Sequence, residues 1–210
     1  MSTVYQKHPR TYHLPWSEGI SSDDKVLTSV QQFEGLDVVV TEKRDGECTS
    51  LYPDGIVHAR SIDGNRHPWQ DAIKSTWRSI CHELPEGWRI VGENLYARHS
   101  IHYESLTDWF ELFAIFNEDN EVLGWNETVD WACLLGLATV PMLWDGRWDQ
   151  QQIINLGKTL NTQTQEGYVV RIKDRFSGKD WSRAVGKWVR KNHVQTDIHW
   201  TQLWVPNKLM

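Results

Sequence analysis

The sequence predicts an α+β fold of antiparallel sheets with flanking helices. Short segments rich in β-branched and aromatic residues outnumber helical periodicities, and they are bounded by Gly, Pro, Asp or Asn. Some adjoin through tight turns, as at "YPDGIV". A chain of 210 residues, 40% of them hydrophobic, suits one ordinary globular domain with a substantial core.

In chain order, the Pro/Gly/Ser-rich "HLPWSEGISSDD" reads as a loop before the first regular element. "LDVVVTEK", "ECTSLYP" and "GIVHARS" are the first strands. After Pro68, Trp69, Ile73, Trp77, Ile80 and Leu84 recur at helical spacing. The strands "WRIVGEN" and "WFELFAIFN" follow, and Asn126 is expected to cap a helix carrying Val129, Ala132 and Cys133. A third helix is expected from Trp148 to Leu160, ahead of the strands "GYVVRIK" and "AVGKWVRK". There is no internal repeat and no low-complexity segment.

Composition excludes several classes. No apolar run approaches the roughly 20 residues of a membrane span, and "MSTVYQKHPR" lacks the apolar stretch of a secretory signal, so a cytoplasmic protein with no membrane partner is expected. Cys48, Cys81 and Cys133 have neither zinc-site nor disulfide spacing and are expected to be reduced, buried and inert. The histidines, His99 and His102 in "RHSIH" included, lack the spacing of a zinc-protease helix, and there is no phosphate-cradling Walker loop. A net charge of −6 argues against coating nucleic acid by bulk attraction. Yet Arg171 to Lys191 holds eight basic residues against Asp174 and Asp180, a segment that reads either as an anion-binding surface or as a solvated basic face. The 13 tryptophans are core packing or platforms for stacking bases.

The strand ends carry the candidate chemistry. On "LDVVVTEK", Lys43 shares a face with Thr41 and Val39, and Asp45-Gly46 turns the chain at once. An isolated lysine at a hairpin end simply snorkels to water. Here the ends of other strands supply Glu93 in "GEN", Glu166 in "EGYVV" and a second lysine, Lys187, in "GKWVRK".

Taken in order, these segments resemble the covalent nucleotidyltransferases, the superfamily of ATP-dependent RNA and DNA ligases and messenger-RNA capping enzymes. "KRDG" (Lys43 to Gly46) resembles the nucleophile motif KxDG, and Arg60 in "HARSIDG" the arginine of the next. "GEN" carries the glutamate of the third, "FELFAIFNEDNEVLGW" is similar to the aromatic motif, "EGYVVRI" to the fourth and "VGKWVRK" to the lysine-bearing fifth. The order of motifs is far more specific than any one of them. "GENLYARHSIHYESL" and "KHPRTYHLPWSEG" resemble stand-alone RNA ligases more than DNA ligases. Two positions depart from the pattern. Phe113 is followed by Ala114 where aspartate is common, and Val189 stands where a second lysine is usual, leaving Lys191 or Arg190 to replace it.

The resemblance implies a single nucleotidyltransferase (ATP-grasp-like) adenylation domain over 1–210 without a C-terminal OB-fold, acting as an ATP-dependent RNA ligase with Mg²⁺ or Mn²⁺. It implies that Lys43 forms a lysyl-AMP intermediate before RNA 5′-phosphate and 3′-hydroxyl ends are joined. By the same resemblance Glu42 reads the adenine amino group, Arg60 contacts phosphate, Glu93 the ribose hydroxyls or a metal, and Phe113 stacks on adenine. Glu166 holds the metal and Lys187 neutralises the α-phosphate. The alternatives are a DNA-ligase-like or capping-type nucleotidyltransferase, or a non-catalytic RNA-binding module of the same fold. A lysine of ordinary pKa about 10.4 is protonated at neutral pH, so a nucleophilic role requires nearby cations to favour its neutral form. The carboxylates of Glu42, Asp45 and Glu47 act in the opposite sense and must be aimed elsewhere.

Overall fold

The computed structural model of the protein describes residues 4–62, 67–191 and 204–210. Among the described residues twelve strands are formed: β1 (Tyr12–His13), β2 (Asp37–Lys43), β3 (Glu47–Leu51), β4 (Val57–Ala59), β5 (Arg89–Asn94), β6 (Phe110–Phe116), β7 (Glu121–Val122), β8 (Ala138–Thr139), β9 (Met142–Arg147), β10 (Gly167–Ile172), β11 (Phe176–Ser177) and β12 (Val185–Val189). The helices are α1 (Asp71–Ile80), α2 (Trp125–Leu135), α3 (Gln150–Thr159) and the single turn α4 (Trp181–Ala184). All seven strands and three helices read from the sequence are present. The two-residue strands are too short to show a period, and β9, "MLWDGR", contains an Asp-Gly pair that reads as a turn.

Two sheets result. One has the order β1-β12-β10-β2-β9, and the other runs β11-β7-β6-β5-β3-β4 with β8 beside β6. Pairing is antiparallel except for β1 with β12 and β8 with β6.

Alternation along the strands sets the layers. Val38, Val40, Tyr168, Val170 and Trp188 point outward to pack with Ile153 of α3. Ile90, Phe110, Leu112 and Ile115 pack on the outer face of the second sheet with Ile73 and Trp77 of α1 and Ala132 and Leu135 of α2. Between the sheets, Val91, Ala114, Phe116 and Val122 meet Trp181, Ala184 and Val185, with Phe113 and Val169 packed against them.

Three expectations are corrected. Helix α2 is capped by Gly124, whose N–H donates to Glu127 Oε2 at 3.0 Å, so Asn126 lies inside the first turn. Its buried stripe is Trp125, Thr128, Ala132 and Leu135, which turns Val129 and Cys133 to the surface. Cysteine burial fails at all three positions: Cys133 is exposed, Cys81 is half-buried, and Cys48 is half-buried beside the cavity described below. The basic run is not one surface, because strand alternation and the α4 turn send its charges different ways. Arg171 and Arg190 are buried, Lys173 pairs with Asp145 at 2.7 Å and Arg175 with Glu127, while Lys179, Arg183 and Lys191 are exposed. Among the described residues, no helix is long and apolar enough to cross a membrane.

Candidate active site

Lys43 is the last residue of β2, and the next three residues carry the chain out of the first sheet into β3 of the second. The nucleophile-like turn is therefore the crossing between the sheets, and its lysine faces the space between them. Gly46 is required by close approach, since a Cβ there would lie 2.5 Å from the carbonyl oxygen of Asn94.

The crowding of acids around Lys43 is resolved by where each one binds. Glu42 accepts from Arg44 Nη1 and Gln165 Nε2, both at 2.7 Å. Asp45 Oδ2 accepts from the N–H groups of Ser100 and Ile101 at 2.7 Å, and Glu47 takes Trp69 Nε1 and Gln70 Nε2 at 3.0 Å. The partner of the Lys43 ammonium is instead Glu166, 123 residues away, to whose Oε2 it donates. Burial favours the neutral amine, but Glu166, Glu93 and Asp45 outweigh it and hold the Lys43 pKa above its ordinary value.

Glu166 sits just before β10, and Gly167 allows that strand to run against β12, for a Cβ at 167 would fall 2.0 Å from the Trp188 carbonyl oxygen. On β10, Val169 lies opposite both Lys187 of β12 and Thr41 of β2. Thr41, Lys43, Val169 and Lys187 line one cavity between the sheets, of about 260 Å³, near the lower end of the roughly 300–1,000 Å³ of ligand sites. Burial and the charge of Lys43 both lower the Lys187 pKa.

The opposite wall belongs to the second sheet. Glu93 of β5 accepts from the Gly46 N–H at 3.1 Å, and burial pushes its carboxyl up to about 8 despite Lys43. Arg60 follows β4, its Nε buried with no hydrogen-bond partner among the described residues; Asp63 and Gly64 of its motif lie outside them. Phe113 arrives through a β-bulge. Val91 pairs with Ala114 and Gly92 with Leu112, so Phe113 is the extra residue and faces the same inter-sheet space as Ala114. Arg171 pins the bulge, donating to the carbonyls of Phe113 (3.2 Å) and Leu123 (2.6 Å). Burial lowers the Arg171 pKa to about 10.

Of the seven residues singled out in the sequence, Glu42, Lys43, Arg60, Glu93, Phe113 and Lys187 line the cavity, and Glu166 is hydrogen-bonded to Lys43. Glu42 alternates away from Lys43, yet it too reaches the cavity. Leu143 on β9 is an extra residue opposite Val40 and Thr41, a β-bulge of the kind that increases local twist, just before Glu42. The structure adds Asp24, His8, Cys48, Arg171 and Trp181 to the lining. His8 packs edge-on against Phe113 and Trp181, and burial, with Arg89 and Arg60 nearby, lowers its pKa to about 3. In sequence these five carry no periodicity that separates them from core and loop residues.

The described residues contain no group of three or more His, Cys, Asp or Glu side chains placed to hold a metal ion by themselves. The donor set is two carboxylates, Glu93 and Glu166, both close enough to Lys43 to raise its pKa. That suits a hard cation such as Mg²⁺, which binds one or two carboxylates and completes its shell with water and substrate phosphate.

The fold has known counterparts. Three solved structures of Naegleria gruberi RNA ligase superpose on the chain. A lysine-to-alanine variant with ATP and Mn matches with TM-score 0.57 and 18% identity over 90% of this chain and 61% of that one. The ligase with pyrophosphate matches with 0.57 and 20% over 90% and 61%, and a glutamate-to-alanine variant with AMP and Mn with 0.58 and 19% over 89% and 57%. The chain thus spans about three fifths of the length of the ligases it matches. At these identities the likeness is one of fold, and no curated protein matches the chain in sequence. A sequence model of the family described as RNA ligase matches residues 36–189, from β2 to the last residue of β12, and the chain belongs to the RNA ligase family.

Proposed function

We propose that the chain is an ATP-dependent RNA ligase that joins 5′-phosphate and 3′-hydroxyl RNA ends through a lysyl-AMP intermediate, acting as a single nucleotidyltransferase (adenylation) domain in the cytoplasm. The observation that carries it is the meeting of Lys43 with Glu166, Glu93 and Lys187 around one cavity between two sheets. The Naegleria gruberi structures with ATP and Mn and with AMP and Mn support the choice of nucleotide and metal, and the one with pyrophosphate fits the expected leaving group.

In the first step the lone pair of Lys43 Nζ attacks the α-phosphorus of ATP, the bond to the β-phosphate oxygen breaks, and pyrophosphate leaves in line with the attacking nitrogen. Lys43 must first lose its proton, and in the free protein its ion pair with Glu166 opposes that loss. Glu166, with Glu93 nearby, would hold a divalent cation, whose positive charge would favour the neutral amine and offset phosphate charge. Lys187 adds a second positive charge against the phosphoryl oxygens as pyrophosphate departs. Arg60 contacts phosphate, and its unpartnered Nε is a donor in wait. Phe113 stacks on adenine, and Glu42, ion-paired with Arg44, accepts from the adenine amino group. The AMP then passes to an RNA 5′-phosphate and is displaced by a 3′-hydroxyl.

The test is to incubate the protein with α-labelled ATP or GTP and Mg²⁺. Label from ATP should appear on the wild type and vanish in Lys43→Ala with the circular-dichroism spectrum unchanged. Label surviving in that variant removes Lys43 from the role. Label from GTP alone points to capping chemistry, and no label at all to a non-catalytic RNA-binding module.

A further inference from the structure

The loop "HLPWSEGISSDD" plays no part in the chemistry above, yet it is built around Lys187. Residue His13 lies directly opposite Lys187 in the parallel pairing of β1 with β12, and the Leu14 N–H donates to the Lys187 carbonyl at 2.7 Å. Further along, the N–H groups of Glu18 and Gly19 donate to the Val189 carbonyl, and the segment closes on itself where the His13 N–H donates to Lys25 O and the Leu27 N–H to His13 O. This strap covers the edge of β12 and delivers one carboxylate, Asp24, into the cavity wall.

Asp24 is held from three sides. Its Oδ2 accepts from the Ser21 N–H at 3.1 Å and from Ser21 Oγ at 2.7 Å. Its Oδ1 stands 3.3 Å from Nε2 of His13 and 3.7 Å from Nζ of Lys187. His13 is itself fixed, 1% exposed, with Nδ1 2.8 Å from Ser17 Oγ, which also accepts from the Val189 N–H at 2.9 Å. The same strand that carries Lys187 therefore anchors the carboxylate that aims it. Burial disfavours the ionised form, but the two Ser21 hydrogen bonds, Lys187 and His13 outweigh it and hold the carboxyl down to about 2.

We propose that Asp24 is a positioning residue for Lys187: supported by His13 and Ser21, it holds the ammonium against the cavity wall so that the charge is already in place where the α-phosphate arrives. The inference rests on the ligase reading only for its consequence in the rate. A flexible lysine otherwise loses side-chain freedom on meeting the phosphate, and a fixed counter-ion removes that loss beforehand. The carboxylate also puts a negative charge in an anion site, so its removal separates two effects that a merely structural role leaves coupled.

The experiment compares wild type, Asp24→Asn, Lys187→Ala and the double variant, with His13→Gln, which retains a donor in place of Nε2, and His13→Leu, which does not. At saturating ATP, Asp24→Asn should slow formation of the labelled lysyl nucleotide about 10-fold while the KM for ATP is unchanged or falls. It should have no further effect in the Lys187→Ala background, because a residue acting through Lys187 has nothing left to position. His13→Gln should keep most of the rate that His13→Leu loses. Full rate in Asp24→Asn, or losses that multiply in the double variant, overturn the proposal. A second measurement needs no turnover: acetic anhydride should acetylate Lys187 several-fold faster in Asp24→Asn than in the wild type, as read by mass spectrometry. Equal acetylation overturns the positioning role even if the wild type forms no adduct, whereas a wild type without adduct but with the acetylation difference overturns only the ligase reading.

Discussion

Lys43 and its carboxylates show how single residues are tuned by partners far away in sequence. Burial pushes the Glu166 carboxyl up, against the pull of Lys43, whose Nζ donates to its Oε2. Glu166→Ala should lower nucleotidyl transfer by about 10²-fold or more, on the scale of losing one charge-stabilising group, and Glu166→Asp by less, because shortening misplaces the carboxylate without deleting it. A Mg²⁺ and Mn²⁺ titration of both variants checks this; wild-type titration curves in both would remove Glu166 from the site. Glu93 gives a pH signature. Its carboxyl is raised from an ordinary 4.5 to about 8 in the folded protein, chiefly by burial, so the native state binds more protons than the unfolded state between those values. Its contribution to stability is present below about 4.5 and is lost as pH rises through about 8. The metal-free wild type should melt at progressively lower temperature relative to Glu93→Gln as pH goes from 5 to 8, by about 2–4 °C for each kcal/mol at this size. Parallel melting curves across that window would show that Glu93 is not the group responsible.

At the scale of elements, the two sheets are precise where motif glycines let backbones approach. Gly167 is the sharpest case, with the Trp188 carbonyl oxygen where a Cβ would sit. Gly167→Ala should push β10 from β12, cost about 3 kcal/mol and separate Glu166 from Lys187; urea denaturation and the labelling assay should both show the loss. Wild-type stability in that variant would mean that the strands can part at no cost. This level also marks what was legible beforehand. Alternation in "LDVVVTEK", "GYVVRIK" and "VGKWV" correctly sends Val39, Thr41, Lys43, Val169 and Lys187 to one side, because period-2 patterning is a property of the strand itself. It does not locate the bulges at Phe113 and Leu143, whose extra residues arise from pairing with a second strand. Nor does it find Asp24, His8 or Arg171, which reach the cavity through contacts with residues more than 45 positions away. The cap of α2 was misplaced for a related reason: a glycine has no side chain to announce the role, and the returning Glu127 completes it.

Across the whole molecule, the proposed function requires an acidic chain to meet a polyanion. The segment Arg171 to Lys191 has a basic excess in sequence, but the fold commits most of it internally. Arg171 holds three backbone carbonyls, Lys173 and Arg175 are paired with Asp145 and Glu127, Arg190 is buried and Lys187 belongs to the cavity. What remains for RNA phosphates in this segment is Lys179, Arg183 and Lys191, all exposed. Three such contacts to a single strand correspond to a slope of roughly −2 in log affinity against log salt, at about 0.7 per phosphate, where eight would give nearly three times that. Binding of 5′-phosphorylated RNA measured from low to moderate salt should therefore show a shallow dependence, and Lys179→Ala should flatten it by about 0.7 while leaving nucleotidyl transfer to Lys43 unchanged. Lys187→Ala should impair both, since Lys187 lines the cavity between the sheets and not the outer surface. A slope of about −3.5 from this segment, as for five contacts, would mean that the Lys173 and Arg175 ion pairs open to release their charges to RNA. Equal or faster sealing of an all-DNA strand, in a matched assay at one salt concentration, would shift the substrate from RNA while leaving the lysine chemistry in place.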